Sequence, residues 1–300
     1  MSNFVIITDS SSDANAGIRA RYGIEYIANR FYYKDKEYYG DPDWSCMPIQ
    51  EFYDYIREGN RIMTSQISST QCEEMFEKHL KEGKDVLFLT CPAVLSATAE
   101  VGRLVAEKMQ EKYPERRAIH IDTTTCSGGL IILAILASKM RAEGKGVEEV
   151  AEFIKEHKKY INQEGSVESL AYLKRAGRIS ATAAFFGTLF NVKPMIISDI
   201  HGYNVAVEKV KGRKASLVRA VERTVETYNG EGFKDVYITN ADCEQEAEEV
   251  KKMLMERLGL SENEVHLLSL NAVMGASVGP GMIGIYCYGK EITYDSKAGK

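Results

Sequence analysis

The sequence lacks the spacings that mark a metal site or a disulfide framework. Its six cysteines, at 46, 72, 91, 126, 243 and 287, form no CxxC, and its five histidines form no HxxxH or HxH. Structural zinc needs clustered Cys and His ligands, so no resident metal is expected. Unpatterned cysteines suit a reducing compartment. Long apolar runs are missing too. The most apolar stretch, Leu130 to Ala137, is far short of the roughly 20 residues of a membrane span. The first residues, Met1 to Asp9, have no basic segment ahead of a long apolar core, so no signal peptide is expected and the cytoplasm is the expected location. Positive charge is not in excess: 38 Lys and Arg against 43 Asp and Glu leave a net charge of −5. Nucleic-acid binders are usually basic, and none is expected as a partner. The P-loop pattern is also absent, which excludes that mode of nucleotide binding.

What is present suits a soluble α/β protein. Hydrophobic residues make up 44% and charged residues 27% of 300 positions, enough for one large domain or two ordinary ones. Up to about residue 160, strand-like runs alternate with helical ones. The strands are 4–8, 25–33, 85–90 and 117–122. The helices include 48–57, 71–81, 100–109, an apolar one from Gly128-Gly129 to Met140, and one from Val147 to about Tyr160. Such alternation implies βαβ units and a parallel sheet with helices on both faces. The second half carries short strands near 166–170, 194–198, 203–209, 235–239, 265–270 and 282–288, with helices at 179–190, 214–228 and 243–258. A His201-Gly202 hairpin makes that sheet partly antiparallel. The expected architecture is α/β in two domains: an α/β/α parallel-sheet domain over 1–163, then an α/β domain with a mixed, partly antiparallel six-stranded sheet over 164–300.

The stretch Leu95-Ser96-Ala97-Thr98 joins a buried strand to a helix. In an open α/β sheet this edge is the usual ligand crevice, and the free N–H groups of a helix start favour an anion. An ordinary N-cap role for Ser96 is the competing reading. Right-handed crossovers should bring hydroxyl-rich segments 8–13, 96–98 and 122–125 to one edge, with the polar loop 64–69 joining them. Gly275-Ala276-Ser277-Val278-Gly279 fits the GxSxG pattern, but no histidine follows it and a Pro-Gly turn replaces the required helix. Gly279-Pro280-Gly281-Met282-Ile283-Gly284 fits GxGxxG but leads into a strand rather than a helix. The cluster Lys209 to Lys214, with Arg219 and Arg223, reads as a solvated turn and helix start, or else as a docking face. Phe185-Phe186-Gly187-Thr188-Leu189-Phe190 reads as helix core, with Gly187 leaving room for an apolar ligand as the alternative.

Seven segments in order resemble the DegV family. They are Ile7 to Asp13, Thr64 to Ser68, Leu95 to Thr98, Ile121 to Thr123, Tyr172 to Ser180, Val192 to Ile196 and Gly275 to Gly281. The resemblance implies a protein that binds a long-chain fatty acid, with the acyl chain buried between the two domains. It further implies the lipid-carrying subunit of a bacterial fatty-acid kinase, with ATP on a separate kinase subunit, no catalytic residue of its own and no cofactor. A stand-alone carrier and an enzyme acting on a small anionic metabolite are the alternatives. By the same resemblance Thr64 and Ser96 bind the carboxylate, and Ser65 lies beside them. Ser277 and Gly279 belong to the headgroup segment, Arg178 serves kinase docking or headgroup electrostatics, and Phe185, Phe186, Leu189 and Phe190 lie near the acyl tunnel. The family commonly has histidine where Ser277 stands.

Overall fold

The computed structural model describes residues 3–180 and 191–298. A four-stranded parallel sheet has the order β2-β1-β6-β7, from β1 (Phe4–Asp9), β2 (Ile24–Ile27), β6 (Asp85–Thr90) and β7 (Ala118–Asp122). The chain leaves β1 toward β2 on one side and reaches β6 on the other. The carboxyl ends of β1 and β6 are therefore where the strand order reverses, the position at which such sheets open a crevice. A six-stranded mixed sheet has the order β10-β9-β8-β13-β11-β12, from β8 (Ile161–Ser166), β9 (Val192–Ser198), β10 (Asn204–Lys211), β11 (Val236–Asn240), β12 (Val265–Ser269) and β13 (Ile283–Tyr288). Only β11 and β12 pair in parallel there; the other neighbours are antiparallel. Both expected sheets are thus present. Among the described residues no helix is long and apolar enough to cross a membrane.

Several expectations need correction. The single strand over 25–33 is two strands broken at Ala28-Asn29. β2 stays in the parallel sheet, whereas β3 (Arg30–Tyr33) joins β4 (Lys36–Tyr39) and β5 (Met63–Ser65) in a separate three-stranded antiparallel sheet. The polar loop at 64–69 is therefore the end of strand β5, followed by Ser68, whose side chain caps α3 (Ser69–Lys81) by accepting from Gln71 N–H. No strand runs over 166–170. β8 ends at Ser166, and α7 (Leu170–Ala176) begins four residues later. The division at 163/164 falls inside β8, so the second sheet begins at Ile161. A further short helix, α10 (Ala272–Val278), carries Ser277. Of the helix expected over 179–190, residues 181–190 lie outside the described residues, and Ser180 pairs in a bridge with Val205.

One helix joins the two large sheets. α5 (Gly128–Ala142) is buried from Gly128 through Ser138. It packs against β1 on one side and β8, β11 and β13 on the other. Leu130, Ile131, Leu133 and Ile135 share a single apolar cluster with Ile6 and Leu87 of the first sheet and Tyr237 and Tyr286 of the second. Glycine is required at its start: a Cβ at Gly128 would lie 2.7 Å from the Tyr286 ring and 2.8 Å from Tyr237 Cβ.

Two buried carboxylates brace the loop after β1. Asp9 accepts from Ser11 N–H and Cys91 N–H, each at 2.8 Å, and so ties the loops after β1 and β6 together. Asp13, in the left-handed region at φ 57°, accepts from Asn271 N–H at 2.8 Å, Asn271 Nδ2 at 2.7 Å and Ser127 Oγ at 2.5 Å. Burial raises both carboxyls. Asp13 is pushed up to about 7, against the Asn271 and Ser127 hydrogen bonds that pull it down.

Two outcomes are expected. Gly128→Ala should destabilise the protein by about 1–3 kcal/mol through overpacking, read as a lower urea midpoint, although alanine in an open helix would add about 1 kcal/mol. Unchanged stability would mean the second sheet yields at Tyr286. Asp13 ionises near 3.8 when unfolded and near 7 when folded. Between those values the folded state keeps a proton that the unfolded state has released, so stability falls as pH rises across that interval and levels off above it. Glu164 is also raised to about 7 by burial, so the comparison is with Asp13→Asn. That variant should show a shallower fall between pH 4 and 7; parallel curves would place the folded Asp13 at an ordinary value.

Candidate ligand cleft

A cleft of about 150 Å³ opens at the β1/β6 reversal. Its polar wall includes Ser11, Asn29, Thr64, Ser65, Gln66, Ser96, Arg178, Asn204 and Ser277; its apolar wall includes Leu95, Leu173, Val273, Met274 and Val278. Segments 8–13, 64–69 and 96–98 therefore do converge. Segment 122–125 instead folds on itself, with Thr123 Oγ1 donating to Thr90 O at 2.8 Å and Thr125 O at 2.9 Å. Only the following residue, Cys126, reaches the cleft.

Each hydroxyl is placed by its element. Thr64 pairs across β5 and β3 with fully buried Phe31, which turns it to the inner side of the small sheet. Ser65 Oγ accepts from Arg30 Nη2 at 3.4 Å. α4 (Thr98–Lys112) has Ala97 at its N-cap, with no side-chain cap. Ser96 instead accepts from Thr98 N–H at 3.2 Å and donates to Thr98 Oγ1 at 3.0 Å. Ser11 Oγ is buried in the cleft wall, and among the described residues no group makes a hydrogen bond of ordinary geometry to it. Such a group costs free energy until a ligand or water satisfies it. Ser277 Oγ reaches back to Val273 O at 3.4 Å within α10.

Arg178 follows Gly177, which ends α7 at φ 71°. Its Nε donates to Leu95 O at 3.1 Å, beside Ser96, and its Nη1 donates to Ala176 O. Among the described residues no carboxylate pairs with it, so its charge faces the cleft uncompensated. A smaller adjoining recess shares Thr64, Arg178 and Ser277 and adds Arg61 and Arg175. Cys91 and Cys126 also line the cleft, and burial raises both thiols, which keeps them protonated.

Gly279 is not among the lining residues. It turns the chain at φ 75° directly against the Tyr172 ring, where a Cβ would come within 2.5 Å of Tyr172 Cγ. Phe185, Phe186, Leu189 and Phe190 lie outside the described residues. The basic cluster near 209–223 is neutralised at its arginines. Arg213 pairs with Glu246, Arg219 with Glu208, and Arg223 with Glu164. Asn29 and Asn204 are site residues that the sequence reading missed. Asn29 sits at the break inside one expected strand, and Asn204 inside another, where a polar residue gave no signal.

Comparisons with known proteins bear on the family and the fold. The family model described as an uncharacterised protein, DegV family, matches residues 3–290. A DegV domain-containing protein of Clostridium perfringens is 30% identical over 289 residues, covering 96% of this chain and 98% of its own length. A DegV family protein from Thermus thermophilus, solved in a study of its fatty-acid binding, has 26% identity and a TM-score of 0.83, covering 96% of this chain and 100% of that one. A DegV lipid-binding protein from Thermotoga maritima shares the fold at 24% identity and TM-score 0.82, covering 98% and 100%. The chain belongs to the DegV family.

Proposed function

We propose that the cleft holds the carboxylate of a long-chain fatty acid between Thr64 and Ser96, with the acyl chain running along the apolar wall formed by Leu95, Leu173, Val273, Met274 and Val278. The observation that carries this reading is the convergence of hydroxyls from three separate loops beside the unpaired Arg178, against an apolar wall. The Thermus thermophilus relative, described as binding fatty acid, supports it. Burying each methylene gains about 0.8 kcal/mol, so a long chain gains on the order of 10 kcal/mol gross. Ordering and association costs offset part of that. A carboxylate away from water must be hydrogen-bonded, and hydroxyl donors to a charged acceptor contribute about 1.5–3 kcal/mol each.

The carrier presents the fatty acid to a separate kinase subunit for phosphorylation by ATP. The arginines around the adjoining recess support this step, because a phosphorylated carboxylate carries more negative charge. The second reading, a carrier without phosphoryl transfer, is favoured by Ser277. Histidine at that position can be cationic, whereas a serine hydroxyl is neutral.

Three outcomes are expected. Organic extraction and mass spectrometry of purified protein should yield a fatty acid at close to one per chain, and a protein that is empty and takes up none would overturn the reading. Ser96→Ala and Thr64→Ala should each weaken acid binding by about 1–3 kcal/mol and affect fatty alcohols less. Equal losses for both ligands would leave these residues a structural role only. With a competent kinase subunit and ATP, Ser277→His should raise phosphorylation while free-acid affinity changes little. A slower variant would mean that serine is no handicap.

A further inference from the structure

Thr98 anchors both halves of the hydroxyl set. It is fully buried, and its Oγ1 receives three donors: Asn29 Nδ2 at 2.9 Å, Ser96 Oγ at 3.0 Å and Ile67 N–H at 3.4 Å. A hydroxyl oxygen has two lone pairs, so three donors oversubscribe it. Two of the three are fixed. Asn29 is clamped by Ser10, donating its backbone N–H to Ser10 Oγ at 3.0 Å and accepting from that hydroxyl on Oδ1 at 2.9 Å, which leaves Nδ2 facing Thr98. The Ile67 amide belongs to the backbone between β5 and α3. The Ser96 proton alone can rotate to another acceptor. Its oxygen need not move when it does, because Thr98 N–H holds that oxygen independently at 3.2 Å.

We propose that Thr98 is a positioning residue for anion recognition. Through Ile67 it sets the segment carrying Thr64, and through Ser96 it sets the opposite wall. Its surplus of donors leaves the Ser96 proton weakly held and available to a carboxylate entering the cleft. The unliganded cleft thus keeps a donor ready with its oxygen already in place, and the anion relieves the crowding on Thr98 by taking that proton's hydrogen bond. A neutral alcohol headgroup, a weaker acceptor, gains less from the same arrangement. The inference rests on the reading of Ser96 and Thr64 as carboxylate ligands.

The test compares binding of a fatty acid and a fatty alcohol of equal chain length to wild type, Thr98→Val, Thr98→Ser, Ser96→Ala and the Ser96→Ala/Thr98→Val double variant. Thr98→Val leaves the Ile67 amide and Asn29 Nδ2 without their acceptor, so the segment carrying Thr64 loses its anchor and acid binding should weaken about tenfold. Alcohol binding should stay within about twofold, showing that the cleft is still folded, and Thr98→Ser should bind acid like wild type. In the Ser96→Ala background Thr98→Val should add less than its full effect, because the part that acts through Ser96 is already lost and only the part through Ile67 and Thr64 remains. Equal loss of acid and alcohol, failure of serine to rescue, or a full additional loss in the double variant would each overturn the proposal. If Ser96→Ala alone leaves acid binding unchanged, the carboxylate assignment itself fails, and that outcome is separate from the others.

Discussion

The arrangement of the cleft depends on one buried carboxylate. Asp13 binds the start of α5 through Ser127 and the start of α10 through Asn271. Asn271 in turn donates to Ser10 O and caps α10 by accepting from Val273 N–H at 2.8 Å. Ser277, on α10, is thereby placed beside the loops of a sheet from which it is remote in sequence. Removing the carboxylate would leave Asn271 N–H without its acceptor and take one partner each from Asn271 Nδ2 and Ser127 Oγ, and a buried donor left unsatisfied costs about 1–3 kcal/mol. Asp9 does the corresponding work between the loops after β1 and β6. Apolar packing holds the sheets together, while hydrogen bonds to two buried carboxyls set the geometry of the opening between them.

The opening itself is nearly neutral. Among the described residues its donors are hydroxyls and amides and its one cation without a carboxylate partner is Arg178, while the arginines farther along the chain at 213, 219 and 223 are matched by glutamates. Fixed dipoles with a single cation suit a singly charged anion. A dense cationic site would hold any anion more tightly and with less selection.

Much of this was legible in the sequence because the parallel half obeys a strong rule. Apolar strands alternating with amphipathic helices leave few topologies, and those put Ser11, Ser96 and their loops on one edge. β8 escaped for a physical reason. Its sequence Ile-Asn-Gln-Glu-Gly-Ser is polar, yet every residue is buried. Asn162 donates to Lys290 O, Gln163 bonds Asn204 and Ser198, Glu164 pairs with Arg223, and Ser166 bonds Ser216. Periodicity measures apolar burial and is blind to a central strand whose polar groups are satisfied one by one. β5 has three residues, and α7 and α10 have seven each, too short for any repeat to register. Ser96 and Thr98 stood out by their place between a strand and a helix, whereas Thr64, Ser65, Arg178 and Ser277 were singled out through the motif resemblance. Asn29, which bonds Thr98, lies inside a stretch whose local pattern says only strand.

The shared helix α5 also has a consequence in time. Gly128 leaves the ribosome well before Tyr286, the residue it packs against. At about 5–20 residues per second that interval lasts roughly ten to thirty seconds. Throughout it the parallel sheet can form, but one whole flank of its most apolar helix faces water or a chaperone. Ser10 and Asp13 both wait for Asn271, which is 261 and 258 residues away. The nascent chain must therefore tolerate an exposed greasy flank and a bare ionised carboxylate, and both are covered only as the last strands arrive.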